Sequence, residues 1–327
     1  MKHPVTKLRE ATRGSNKGRV VTSTRPAFDY IALETPDDLK PLMEYWRRST
    51  YLQQRRLRLR NTEQLSRFLY KYRGFSGEHD EQNLREMIVY SVLRLTAPAT
   101  FNDPFEMFVH LVVEGSREQR QRRFSEMAAQ QAPNTSPDQR ADMVRLLMET
   151  PDLEHSARCQ ESIGKIKTGS GVFCFAGDPR SVLMWSHYAE NHRGVCLQFE
   201  RMKDFITLGH AVRVDYREEL PVVNWIVDFH AHAKHILLAK HPSWEYEEER
   251  RITSVDNANR HLQLRPDALT GVIFGCRIQR ARMEFIDALL DERKALGAPP
   301  VKTYLATQHK TKYRLVIRDR HCGGQSQ

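Results

Sequence analysis

Short aromatic and β-branched runs alternate irregularly with segments of helical periodicity, and no apolar run approaches the roughly 18 residues needed to cross a bilayer. This pattern constrains the fold more than any other feature. Phe68-Leu69-Tyr70-Lys71-Tyr72-Arg73 alternates and stops at Gly74, which predicts a strand. Further strands are expected at 172–175, 194–199, 212–216, 246–254, 272–274, 301–306 and 313–317, with apolar segments in 89–95. Helices are expected at 83–88, 179–189, 222–239 and 279–296. Residues 116–166 read as helical with breaks near Pro133, Pro137 and Pro151. No repeat is visible, and no glycine-rich loop follows the first strand, which argues against a dinucleotide-binding or P-loop sheet. The expectation is an α+β fold: a mixed or antiparallel central sheet with flanking helices and a helical insertion at about 116–166.

Charge divides the 327 residues unevenly. Residues 1–60 hold 14 Lys plus Arg against 6 Asp plus Glu, a net of +8 out of the whole chain's +10. Residues 1–66 therefore read as a basic, partly disordered extension, and 67–327 as the α+β domain. Thr35-Pro36-Asp37-Asp38 has the pattern of a helix start within that extension. Arg47, Arg48, Arg55, Arg56, Arg58 and Arg60 are candidate contacts to nucleic acid, or to an acidic protein. Five cysteines, an odd number with no CxxC pair, argue against a disulfide framework and a zinc ribbon. The N-terminus also lacks an apolar leader, so a cytoplasmic protein off the membrane is expected.

Four clusters set polar and aromatic side chains beside predicted strands. They are Leu69–Arg73; Phe101-Asn102-Asp103-Pro104-Phe105-Glu106; Met184-Trp185-Ser186-His187-Tyr188-Ala189, with His192 and Gly194 following; and Trp244-Glu245-Tyr246-Glu247-Glu248-Glu249-Arg250-Arg251. At these places, in this order, the chain resembles the bacterial family called domain of unknown function 2971, over about 67–280. That family name carries no activity, so function rests on the site.

Read as a strand, the fourth cluster puts Glu245, Glu247, Glu249 and Arg251 on one face, where mutual repulsion raises carboxyl pKa values unless cations answer. A strand carrying Glu-x-Glu also resembles the layout of ADP-ribosyltransferases. In that layout an early basic residue holds NAD, aromatics stack on nicotinamide, and the last Glu stabilises the oxocarbenium-like charge. The resemblance implies NAD as the co-substrate and Glu249 and Glu247 as catalytic residues. Tyr72, Arg73, Asn102, Asp103, Trp185, Ser186, His187, Tyr188 and Arg251 are then candidate binding residues. The Ser-Thr-Ser signature of many such enzymes is absent. A toxin or anti-phage effector acting on nucleic acid or protein would suit this chemistry.

Two alternatives stand beside it. Asp103 and Glu106 could join Glu247 and Glu249 around a divalent cation, as in a metal-dependent nuclease. No recognisable metal-ligand spacing accompanies them, and the His187–His192 separation is poor for a shared metal on one helix. The other alternative is a non-catalytic binding or sensor module. Asn102-Asp103-Pro104 also has a plain reading as a turn.

Overall fold

The structure is a computed structural model that describes residues 26–33, 66–227 and 236–320. The helix expected from Thr35 and the arginines Arg47, Arg48, Arg55, Arg56, Arg58 and Arg60 lie outside the described residues. β1 (Phe68–Arg73), α1 (Glu78–Ile88), β2 (Val92–Arg94) and β3 (His110–Val112) come first. Three helices follow, α2 (Arg117–Gln131), α3 (Pro137–Glu149) and α4 (Asp152–Gly169). Next are β4 (Gly171–Phe175), α5 (Val182–Tyr188), β5 (Val195–Glu200), the single-turn α6 (Phe205–Leu208) and four short strands. These are β6 (Val212–Arg213), β7 (Asp215–Tyr216), β8 (Val222–Asn224) and β9 (Ala239–Lys240). The last described elements are β10 (Arg250–Ser254), β11 (His261–Gln263), β12 (Leu269–Phe274), α7 (Arg280–Ala295), β13 (Lys302–Gln308) and β14 (Leu315–Asp319).

The fold is α+β. A five-stranded sheet has the order β1-β5-β12-β13-β14, antiparallel except for the parallel β12–β13 pair that α7 connects. A smaller sheet has the order β4-β10-β6. The two meet where edge strand β1 bonds the residue after β4: Tyr70 N–H donates to Ala176 O at 3.0 Å, and Ala176 N–H returns to Tyr70 O at 2.7 Å. That junction leaves a cleft beside β1 and β4.

Local chemistry explains the helices between 116 and 166. Ser116 with Gln119, and Ser136 with Gln139, close reciprocal capping boxes, Pro137 opens α3 and Pro151 precedes α4. These helices bury Phe124, Met127, Val144, Leu147, Cys159 and Ile163 against Val172, Trp225 and Leu237. The main core lies on the other side of β4, around Leu69, Leu93, Phe173, Phe199, Val272 and Ile286. Phe28, Ile31 and Leu33 pack on it, and Ile31 N–H donates to His261 O at 2.9 Å.

Two expected elements differ. Val222–Asn224 is a strand rather than the start of a helix, because Val222 and Val223 pair in parallel with His110 and Leu111; residues 228–235 of that expected helix lie outside the described ones. The strand expected over 246–254 starts only at Arg250. Ahead of it Pro242–Glu247 forms a 3-10 turn, capped by the His241 ring, and Glu248 sits in the left-handed region at φ 44°. Among the described residues no helix is long and apolar enough to cross a membrane.

Candidate functional site

The cleft between β1, β4, α5 and the turn before β10 encloses about 620 Å³. Such a volume suits a nucleotide-sized ligand. Its shape depends on close backbone approach: a Cβ on Gly194 would stand 2.2 Å from the Arg73 carbonyl oxygen, so glycine there lets the turn after α5 close on the end of β1. In that turn Glu190, Asn191 and His192 all have positive φ, held by His192 N–H donating to Trp185 O at 3.0 Å.

One wall is cationic. Lys71 and Arg73 sit two apart on β1 and so share a face. The Lys71 ammonium donates to Cys174 O at 2.7 Å and lies 4.5 Å from the centre of the Phe173 ring. Burial, with Arg73 beside it, pushes Lys71 down to about 8. Burial likewise lowers Arg73. The Arg73 Nε is buried with no hydrogen-bond partner among the described residues. Asp80, on the same cavity, favours the charged guanidinium but forms no ion pair with it, and an anion bound there would offset more of the desolvation cost.

The opposite wall is a buried ionic network. The Lys240 ammonium donates to Glu247 Oε2 at 2.5 Å and Glu249 Oε2 at 2.9 Å. Arg251 bonds Glu249 through Nε at 2.8 Å and grips both oxygens of Glu106 at 2.5 and 2.9 Å. The Tyr188 hydroxyl donates to Glu247 Oε1 at 2.6 Å, and Asn102 Nδ2 donates to that hydroxyl at 3.4 Å. Tyr216 receives Glu249 N–H at 2.8 Å. Three carboxylates against two cations leave this cluster one negative charge.

Environment separates the two pocket carboxylates. Burial raises the Glu247 carboxyl, with Lys240 opposing and Glu249 reinforcing the rise. Burial would also raise Glu249, but Arg251 and Lys240 overcome it and hold that carboxyl well below the usual range. The two carboxyls are thus pushed in opposite directions, Glu249 towards its ionised form and Glu247 towards its protonated one. Pairs split in this way mark acid–base assignments.

Of the residues expected at the site, Tyr72, Arg73, Asn102, Ser186, His187, Tyr188, Glu247 and Glu249 line this cavity. His187 is exposed at the rim, its ring beside those of Tyr188 and Tyr246. Tyr72 commits its hydroxyl to Asp178 O at 2.6 Å.

Three expected residues do not line it. Trp185 is fully buried in the core, edge-on to Tyr72, and its indole N–H donates to Pro179 O at 2.8 Å. Asp103 is buried and caps its own turn by accepting Phe105 N–H at 2.9 Å. Arg251 is wholly buried behind Glu249, so it positions that carboxylate instead of meeting a ligand. Glu106, considered as a metal ligand, is consumed by Arg251. Among the described residues no group of three or more His, Cys, Asp or Glu is arranged to hold a metal ion.

Lys71 and Lys240 are the site residues that sequence reasoning passed over. Lys71 was visible inside the first cluster as the residue sharing a face with Arg73. Lys240 had only an indirect signal, the need of neighbouring glutamates for a cation.

No curated protein and no solved structure matches the chain. The third and fourth clusters fall within residues 184–252, the stretch that matches the family described as protein of unknown function DUF2971.

Proposed function

We propose that the chain is an ADP-ribosyltransferase-like enzyme that takes NAD as its co-substrate. One observation carries this reading: a single cavity is lined by Arg73, whose Nε has no hydrogen-bond partner among the described residues, and by the buried carboxylate pair Glu247 and Glu249. The residues fit a dinucleotide. Arg73 and Lys71 would answer its phosphates, and Tyr188, His187 and Asn102 would hold the ribose and the nicotinamide.

In the transfer the bond between ribose C1 and nicotinamide breaks, and its electron pair leaves with nicotinamide. Positive charge grows on the ribose, and Glu249, kept ionised by Arg251 and Lys240, would stabilise it. Preorganised charge of this kind is commonly worth about 3–4 kcal/mol. The acceptor's nucleophilic oxygen or nitrogen then bonds to C1, and its proton passes to Glu247. The metal-nuclease reading fares worse on this geometry, since a divalent cation at the pair would have to displace the Lys240 ammonium from both carboxylates.

Within this proposal the protein works in the cytoplasm, where its thiols stay reduced; Cys159, Cys174, Cys196 and Cys276 are free. Its basic segment over 1–60 meets nucleic acid or an acidic protein, and a toxin or phage-defence effector is the setting such chemistry suits.

Calorimetric titration with NAD tests the pocket. Arg73→Met removes the phosphate contact and should weaken binding about 10- to 100-fold. The melting temperature should hold or rise, because a desolvated charge without an ion pair is removed. Equal NAD affinity in Arg73→Met, or no binding by the wild type, would overturn the assignment.

A further inference from the structure

α5 and the turn after it contribute to a second cavity, of about 600 Å³, under the β13–β14 hairpin. Arg277, Lys310, Lys312 and Arg314 line it, and no acidic residue does. None of the four has an ion-pair partner among the described residues, whereas arginines close by in sequence are paired: Arg280 with Glu284, Arg282 with Glu190, Arg320 with Asp287. Between Lys312 and Arg314 the Tyr313 ring is fully exposed. The hairpin is ordered internally, with His309 N–H donating to Arg314 O at 3.0 Å and Thr311 N–H to His309 Nδ1 at 3.1 Å. The two cavities touch through Ser186, which lines the first and lies 3.2 Å from Nε2 of His192, a residue of the second.

We infer that this second cavity binds single-stranded nucleic acid. Unanswered cations around a concavity attract a phosphate backbone. An exposed aromatic ring among them is the platform on which an unpaired base stacks. A duplex keeps its bases stacked on one another and cannot use Tyr313 in this way. None of the residues lining it belongs to the basic segment over 1–60. On the transferase reading, and only on it, this cavity is also where a nucleic-acid acceptor docks before a nucleotide reaches the first cavity past α5.

Fluorescence anisotropy on the full chain tests it, with a labelled 20-nucleotide single strand, a duplex of the same sequence and anionic phospholipid vesicles as probes. NAD is left out, so the result does not depend on the transferase reading. Wild type should prefer the single strand. Tyr313→Ala should weaken that binding about fivefold or more with an unchanged salt slope. The triple change Lys310→Ser, Lys312→Ser and Arg314→Ser should lower the slope of log K against log salt by about two. All three changes lie on an exposed loop, and melting curves check that the fold is kept. Absence of single-strand binding, wild-type affinity and salt slope in both variants, or preference for duplex or vesicles overturns the inference.

Discussion

Lys71 and Arg73 hold their charges where water is scarce, and the consequence for stability has a definite sign. Lys71 is lowered from the ordinary 10.5 to about 8. Below pH 8 it is charged in both the folded and unfolded states, so the whole desolvation cost weighs on the fold. Between pH 8 and 10.5 the unfolded chain binds more protons, and stability rises with pH. Lys71→Met should therefore stabilise the protein at pH 7 by about 1–2 kcal/mol, after allowance for the lost Cys174 hydrogen bond. Urea unfolding at pH 7 and pH 10.5 checks this, and the advantage should shrink at the higher pH. A destabilised Lys71→Met at pH 7 would mean that the Cys174 and Phe173 contacts outweigh the burial. Retaining such a residue makes sense if the pocket needs cations more than the fold needs stability.

At the scale of elements, β1, the turn after α5 and the stretch ahead of β10 build the site. The first was readable from its alternation, and so was the helical stretch with its prolines. The third was misread. Aromatic alternation through Trp244 and Tyr246 suggested one long strand, although Pro242 is a helix-start residue. The 3-10 turn and the left-handed Glu248 leave Glu245 exposed and bring Glu247 and Glu249 inward together. The carboxylate pair was found, but by a strand-face argument that the backbone does not follow. Trp185 was misplaced for a related reason. On a helix of seven residues it supplies the core contact, and Tyr188 at the C-terminal end reaches the cavity.

Gly194 tests how tightly these elements are fitted. Gly194→Ala drives a Cβ into the Arg73 carbonyl oxygen, 2.2 Å away, and backbone cannot yield as a side-chain tip does. Overpacking of this kind should cost about 1–3 kcal/mol in urea unfolding. It should also weaken NAD binding by displacing the end of β1. A variant with wild-type stability would show that the turn and β1 are free to separate.

Across the whole molecule, the network from Glu106 through Arg251 and Glu249 to Lys240 and Glu247 joins segments far apart in the chain. Sequence spacing cannot reveal such joins: Lys240 stands in no motif, and Arg251 looked like a ligand contact only because the depth of β10 in the small sheet was unknown. The outcome is one cavity with a cationic and an anionic wall, and the transferase reading depends on the anionic one. The most direct measurement is release of nicotinamide from labelled NAD, with single-stranded nucleic acid and protein acceptors and with chelator present. The wild type should release it despite the chelator, and Glu249→Gln should be slower by about a hundredfold or more while its circular dichroism and NAD binding persist. Glu247→Gln should lose less. No release by the wild type, release abolished by chelator, or full activity in a folded Glu249→Gln would contradict the account.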